Sequence, residues 1–264
     1  MTSRLVIVGA AGRMGKHIIT LVEKAEQFDI VAAVERADHP DIGKDAGVTA
    51  GLKPIGIALS GEFSATADMA IDFSTPEVAD STIDYCIGNN VALVMGTTGL
   101  SDRQYKKITD ASAKIPIVYA TNMSVGMNVM FALVAKAAAM LGEDYDIEII
   151  EQHHRFKKDA PSGSALTLAK NICKATHRDF PGCLVHGRSG AEQPREKGTI
   201  GMHAVRAGDI TGIHSVMYAT LGEKVTLTHT AHSRDTFAAG ALRAAQWLTG
   251  KKPGMYAMAD VLGI

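Results

Sequence analysis

Leu5, Val6, Ile7 and Val8 form an unbroken apolar run, after which the apolar positions switch to helical spacing at Ile18, Leu21, Val22 and Ala25. The run reads as a buried β-strand and the spaced positions as one face of a helix. The same alternation recurs, with apolar β-rich runs at 30–34, 69–73, 91–95 and 115–120. Between them, Ser74-Thr75-Pro76-Glu77 has the signature of a capped helix with proline in its first turn, and Ser101 with Gln104 forms a capping box. Residues 38–62 are irregular, with one short possible strand at 55–59. Repeated strand and helix predict a Rossmann-like, doubly wound α/β fold around a parallel sheet.

The pattern changes after Ser124. Residues 125–141 are the most apolar stretch, but they include Gly126, Asn128 and Lys136 and fall short of a membrane span, so a buried core helix is predicted. Residues 146–149 alternate, and 150–154 carry that strand onward. Ala165, Leu168, Ala169, Ile172 and Cys173 then mark a helix ending near His177. Runs at 200–206, 214–220 and 224–232 read as strands separated by glycine turns, which predicts a mixed or antiparallel sheet. A last amphipathic helix, about 236–248, can return to the first domain. The predicted layout is a dinucleotide-binding domain formed by 1–124 together with 235–264, and a second α+β domain, 125–234.

Composition narrows the partners. A net charge of -1 over 264 residues gives no bulk electrostatic case for nucleic acid or an anionic membrane. Cys86, Cys173 and Cys183 are odd in number and are expected to lie far apart, which argues against a disulfide framework and a cysteine-rich metal site and fits a reducing cytoplasm. The first residues lead straight into a strand, so no signal peptide is expected.

Two stretches carry candidate chemistry. Gly9-Ala10-Ala11-Gly12-Arg13-Met14-Gly15 joins the first strand to the first helix with G-x-x-G-x-x-G spacing. Glycines there let backbone N–H groups approach a pyrophosphate, and the helix dipole favours its charge. Glu35 ends the second strand, where an acidic ribose ligand is expected, and Arg36 can pair with a 2'-phosphate, so the pair reads as tolerance of both NADH and NADPH. Gly96-Thr97-Thr98-Gly99 follows a later strand, at the edge where ligands sit in such sheets.

The second stretch is Glu151-Gln152-His153-His154-Arg155-Phe156-Lys157-Lys158-Asp159-Ala160-Pro161-Ser162-Gly163-Ser164. Histidines and ammonium groups precede a helix N-terminus at Ser162, a combination suited to a small carboxylate substrate that gains or loses a proton. Adjacent histidines on a strand point to opposite faces and no cysteine is near, so a metal site is not expected. Arg155 and Lys158 read as solvated neighbours. His17, His39, His177, His186, His203, His214, His229 and His232 read as structural hydrogen-bonders.

On the glycine turn, the Gly96-Thr97-Thr98-Gly99 segment and above all the 151–164 stretch, the chain resembles the 4-hydroxy-tetrahydrodipicolinate reductases, also called dihydrodipicolinate reductases, over essentially its whole length. The resemblance implies NAD(P)H-dependent reduction of 4-hydroxy-tetrahydrodipicolinate to tetrahydrodipicolinate with loss of water, in lysine and diaminopimelate biosynthesis in the cytoplasm. It implies His153 as the acid/base residue, Lys157 as proton donor, and His154, Gly163 and Ser164 as substrate contacts. For the cofactor, NADPH or NADH, it implies Gly9, Ala10, Ala11, Gly12, Arg13, Met14, Glu35, Arg36, Gly96, Thr97, Thr98, Ala120, Thr121, Asn122 and Met123. It also implies a homotetramer joined through the second domain's sheet, with Phe237 near the hinge. Family members commonly carry threonine where this chain has Ser164; the hydroxyl and backbone N–H survive that change.

The physical reading agrees with those roles. A cyclic dicarboxylate leaving water needs compensating donors, which Lys157 and the start of the helix can supply. His153 can move a proton near neutral pH because a free imidazole has a pKa of about 6.5. A closing motion between the domains is expected. Two alternatives stay open. Another two-domain NAD(P) oxidoreductase, such as an amino-acid or semialdehyde dehydrogenase, fits the first domain, but the latter needs a nucleophilic cysteine beside the cluster. A nucleotide-sensing regulator explains the glycine turn and Glu35-Arg36, but not the His-His-Arg-Phe-Lys-Lys run.

Overall fold

Alternation within the first strand organises half the molecule. In the computed structural model, which describes residues 2–63 and 66–264, Leu5 and Ile7 point to one side of a parallel sheet, and Val6 and Val8 to the other. The elements in chain order are β1 (Ser3–Val8), α1 (Arg13–Val22), β2 (Phe28–Val34), α2 (Ala46–Thr49), β3 (Leu59–Ser60), β4 (Met69–Asp72), α3 (Pro76–Asn89), β5 (Ala92–Met95), α4 (Asp102–Ala111) and β6 (Pro116–Tyr119). Next come α5 (Val125–Leu141), β7 (Asp146–His153), α6 (Gly163–Thr176), β8 (Leu184–His186), β9 (Ile200–Arg206), β10 (Gly212–Thr220) and β11 (Glu223–Ala231). The chain closes with α7 (Asp235–Leu248), β12 (Gly254–Tyr256) and α8 (Met258–Leu262). It divides into two compact units, Met1–Val125 with Arg234–Gly263 and Gly126–Ser233.

The first unit is a seven-stranded parallel sheet in the order β12-β6-β5-β4-β1-β2-β3. One face buries Ile18, Ile19 and Val22 of α1 with Ala241, Ala244, Ala245 and Leu248 of α7. The other buries Ala79, Ile83 and Cys86 of α3 with Ile108 and Ala111 of α4. Both faces are covered, which is why its strands read as continuous apolar runs. Thr75 is the N-cap of α3 with Pro76 following, and Ser101 and Gln104 form the capping box of α4. The interval 38–62 holds more structure than its irregular pattern predicts. Asp45 accepts from Val48 N to cap α2, and from Ile55 N and Gly56 N across the loop.

The second unit is a five-stranded mixed sheet, β11-β10-β7-β9-β8, with β10 antiparallel to both neighbours and β7, β9 and β8 mutually parallel. One face packs on α5 and α6, whose Ala165, Leu168, Ala169, Ile172 and Cys173 are all buried. Burying the Leu and Ile side chains stabilises by about 1.5–3 kcal/mol each. The opposite face carries Glu148, Ile150, Gln152, His203 and Met217 by register, partly exposed.

Two expectations need correction. The 125–141 helix is not buried all round: Met127, Met130, Val134 and Ala138 form its buried stripe, while Val129, Leu133 and Met140 are exposed. Its apolarity therefore exceeds what one core face requires. The cysteines are also not all remote from one another, because the loop after α6 returns Cys183 to within 3.2 Å, Sγ to Sγ, of Cys173. Both are free thiols, and burial with the neighbouring thiol raises Cys173 to about 12. Among the described residues, no helix is long and apolar enough to cross a membrane.

Candidate functional site

Strand register gathers the first group of candidates. Val8 is level with Val34 and Asp72, Asp72 with Met95, and Met95 with Tyr119. The residues that follow, Gly9, Glu35, Gly96 and Ala120, thus leave the sheet along its C-terminal edge, where open α/β sheets take ligands. Gly9 has φ +76°, a left-handed conformation suited to glycine. Its carbonyl accepts from Gly12 N at 3.0 Å, and a Cβ on Gly15 would run into that carbonyl. Both glycines are therefore required by the turn. Gly12 caps α1 without a side-chain hydrogen bond, and its first turn has no acidic residue, so the helix start is suited to an anion.

Glu35 reaches back to this turn, its carboxylate accepting from Ala11 N and Arg36 N, each at 3.0 Å. The Arg36 guanidinium is half-exposed, with Nε 3.7 Å from Asp38 Oδ1. Thr97 is buried and donates to Asp72 Oδ1 at 2.8 Å, and Ser74 donates to the same oxygen from both N and Oγ. Asp72 Oδ2 is buried without a hydrogen-bond partner among the described residues. Asp72 thus ties together two of the loops at this edge, a role hidden in a run that reads as plain strand. Thr98 and Thr121 are exposed, Met123 is buried, and Asn122 Oδ1 accepts from Ser124 N at 2.9 Å. Gly240 of α7 lies so close to the Met123 carbonyl that a Cβ there would collide with it.

In the second unit, the alternation of β7 puts Glu151 and His153 on its buried face. Register sets His214 of β10 opposite Glu151, and Arg206 of β9 beside His153. Four polar side chains therefore meet on the helix-covered face of the sheet. Glu151, 1% exposed at its side chain, accepts from Arg206 NH1 at 2.8 Å and NH2 at 2.7 Å, in the fork geometry of a strong guanidinium–carboxylate pair. His153 Nδ1 lies 2.5 Å from Glu151 Oε2, and Ser162 N donates to Oε1 at 3.0 Å.

Ser162 also caps α6, accepting from Ala165 N at 3.1 Å, and its hydroxyl lies 3.0 Å from His214 Nε2. The His153 and His214 rings meet edge to face at 5.1 Å. Burial, joined by the charge of His153, drives His214 down to about 3 and keeps it neutral. Burial also lowers His153, as do Lys157 and Arg206; the Glu151 carboxylate opposes them without reversing the shift. For Glu151, burial pushes upward, but the hydrogen bonds from Arg206 and His153 outweigh it and hold the carboxyl below its usual range.

The loop after β7 folds back over this group. Lys157 Nζ donates to both Asp159 oxygens at 2.8 and 2.9 Å, and Asp159 O accepts from Arg206 NH2 at 2.7 Å. His154 Nδ1 is buried without a hydrogen-bond partner among the described residues. Gly163 and Ser164 open the first turn of α6, which has no acidic side chain. Arg155, Phe156 and Lys158 are exposed. The sequence did not single out Arg206 or Ser162's link to Glu151. The available signal was the i, i+2 spacing of Glu151 and His153 on a strand.

The same division recurs in comparison with known proteins. Residues 3–123 match the model for the dihydrodipicolinate reductase N-terminus, and 126–262 that for its C-terminus. A 4-hydroxy-tetrahydrodipicolinate reductase from Alkalilimnicola ehrlichii is 47% identical over the whole of both chains, and one from Hahella chejuensis is 46% identical over 99% of each. Among solved structures, a dipicolinate-bound dihydrodipicolinate reductase from Paenisporosarcina sp. TG-14 shares the fold, with a TM-score of 0.77 at 24% identity, covering 98% of this chain and 99% of that one. With both halves matched and close relatives aligned from end to end, the chain belongs to the dihydrodipicolinate reductase family.

Proposed function

We propose that this family member reduces 4-hydroxy-tetrahydrodipicolinate to tetrahydrodipicolinate with loss of water, using His153 as the acid/base residue and Lys157 as proton donor. The family works in lysine and diaminopimelate biosynthesis and takes NADH or NADPH. The observation that carries the reading is the hydrogen bond from Ser162 N to Glu151 Oε1. Through it, the start of α6 and His153 are anchored to one buried carboxylate, so a proton-transferring ring and a carboxylate-favouring helix terminus are held in fixed relation.

Lys157, His154 and the Gly163-Ser164 turn hold the substrate in this reading, supplying charge and hydrogen bonds to groups leaving water. With Nδ1 committed to Glu151, His153 has Nε2 for proton transfer. A Cβ on Gly212 would stand 3.2 Å from Nε2, so glycine keeps that side of the ring open. The turn at Gly9, Ala10, Ala11, Gly12, Arg13 and Met14, with Glu35, Arg36, Gly96, Thr97, Thr98 and residues 120–123, is the cofactor-holding set. Its uncapped helix start and left-handed glycine fit a dinucleotide's pyrophosphate. The nicotinamide, when bound, supplies the hydride. The reading also takes the protein to be cytoplasmic and a homotetramer, joined through the sheet face bearing Ile150 and Met217.

The direct test is oxidation of NADH or NADPH with the freshly condensed product of pyruvate and aspartate semialdehyde as substrate. Substrate-dependent oxidation is expected; its absence would favour a sensor or another dehydrogenase. Arg36→Ala is expected to weaken NADPH binding by about 1.5–3 kcal/mol and leave NADH little changed, because only the former offers a charged partner for the guanidinium. Titration of each cofactor by fluorescence checks this, and equal loss for both would contradict the 2'-phosphate assignment.

A further inference from the structure

We infer that Glu151 is the positioning residue of this reaction: clamped by Arg206 and Ser162, it holds His153 by Nδ1 and dedicates Nε2 to proton transfer. The inference rests on His153 being the acid/base residue. Three donors are fixed on the carboxylate, Arg206 NH1 on Oε2 and Arg206 NH2 and Ser162 N on Oε1, and His153 Nδ1 lies against Oε2. A carboxylate so surrounded is ionised and only accepts. The imidazole nitrogen 2.5 Å away must therefore carry a hydrogen, which fixes the tautomer and aims the other nitrogen away from the carboxylate.

A purely structural pair would be a poor use of this position. A carboxylate and guanidinium taken out of water lose solvation that their attraction barely repays, and an apolar pair of similar volume is often as stable. The carboxylate here does something an apolar side chain cannot, because it orients the ring and stabilises its protonated form. Among the described residues, every other charged or titratable group facing the ring is cationic, neutral or already paired. Arg206 comes from β9 and neutral His214 from β10, backed by His229 of β11; Lys157 and Asp159, bound to one another, come from the loop. Glu151 is thus the anion that supports an imidazolium in this group.

Glu151→Gln brings an amide against donors on both sides. With its NH2 turned toward Nδ1, the ring must carry its hydrogen on Nε2, the opposite tautomer. The expected result is a fall in kcat of roughly 100-fold, with the dissociation constant for dipicolinate as a dicarboxylate probe changed less than about 3-fold. In the same variant the His153 titration, followed by 15N NMR, should move to lower pH, because an anion that favoured the protonated ring is gone.

The deciding measurement is the cycle of Glu151→Gln, His153→Ala and the double variant. If Glu151 acts through His153, the substitution costs nothing further once His153 is absent. If the losses multiply, Glu151 is a structural residue and the inference is overturned while the acid/base role of His153 stands. A His153→Ala variant with near-normal kcat would instead overturn that role, and the inference with it. Should Glu151→Gln fail to fold, the wild-type NMR spectrum decides: a neutral His153 protonated on Nδ1 supports the inference, and one protonated on Nε2 overturns it.

Discussion

Replacing His153 with alanine is expected to lower kcat by about 100-fold or more, and replacing Lys157 to do the same. Loss of the imidazole removes the proton-transferring group but leaves Glu151 with both hydrogen bonds from Arg206 and the one from Ser162, so the fold should survive. Lys157 pairs with Asp159, an exposed residue of the same loop, and its truncation leaves the Glu151 group in place. The pH profile carries a separate signature. Burial lowers the His153 pKa below that of a free imidazole, so its protonated form dominates only in more acidic solution. A step that draws on that proton slows as pH rises through the lowered pKa, and the His153→Ala profile should lose this limb. Steady-state kinetics across pH, with circular dichroism to confirm folding, checks both variants. Near-normal kcat in a folded variant would remove that residue from the mechanism.

That site was only half legible in the sequence, and the boundary falls where local pattern ends. Ser162 as a helix cap and the buried stripe of α6 follow from spacing within a few residues, and so does the shared face of Glu151 and His153. Arg206 was invisible as a partner because it enters by strand pairing from 55 residues away, and nothing near it in sequence announces the pairing. His214 reads as a structural histidine, and its burial beside Ser162 depends on the antiparallel register of β10. The fold divides similarly. Long apolar runs and capping signals mark β1, β5, α3 and α4 well. The short β8 and β12 hold only three residues each and exist because a neighbour offers a free edge to pair with. The approach of Cys183 to Cys173 has the same origin, since it depends on how a loop returns over the end of α6.

Arg206→Leu is expected to be the most destabilising single change in this group. The guanidinium contributes two hydrogen bonds to a carboxylate whose side chain is 1% exposed; without it Glu151 keeps His153 and Ser162 N but loses its counter-charge. Breaking a buried pair by removing one partner typically costs about 3–5 kcal/mol, because the remaining charge is left without compensation. The pH dependence gives the sign. In the wild type the Glu151 pKa is lowered, so its contribution is present above the unfolded carboxyl pKa and fades as pH falls through the folded one. In Arg206→Leu the burial that pushes the carboxyl up is no longer outweighed by the fork, so the variant should relieve its penalty by taking up a proton. Urea denaturation should therefore show the full loss near pH 7.5 and a smaller gap near pH 5. Adding Glu151→Gln to Arg206→Leu should recover part of the stability at pH 7.5, since the uncompensated charge is then gone, although neither variant should recover turnover. A gap that stays constant with pH would mean that Arg206 supports this unit by packing its stem rather than by neutralising Glu151.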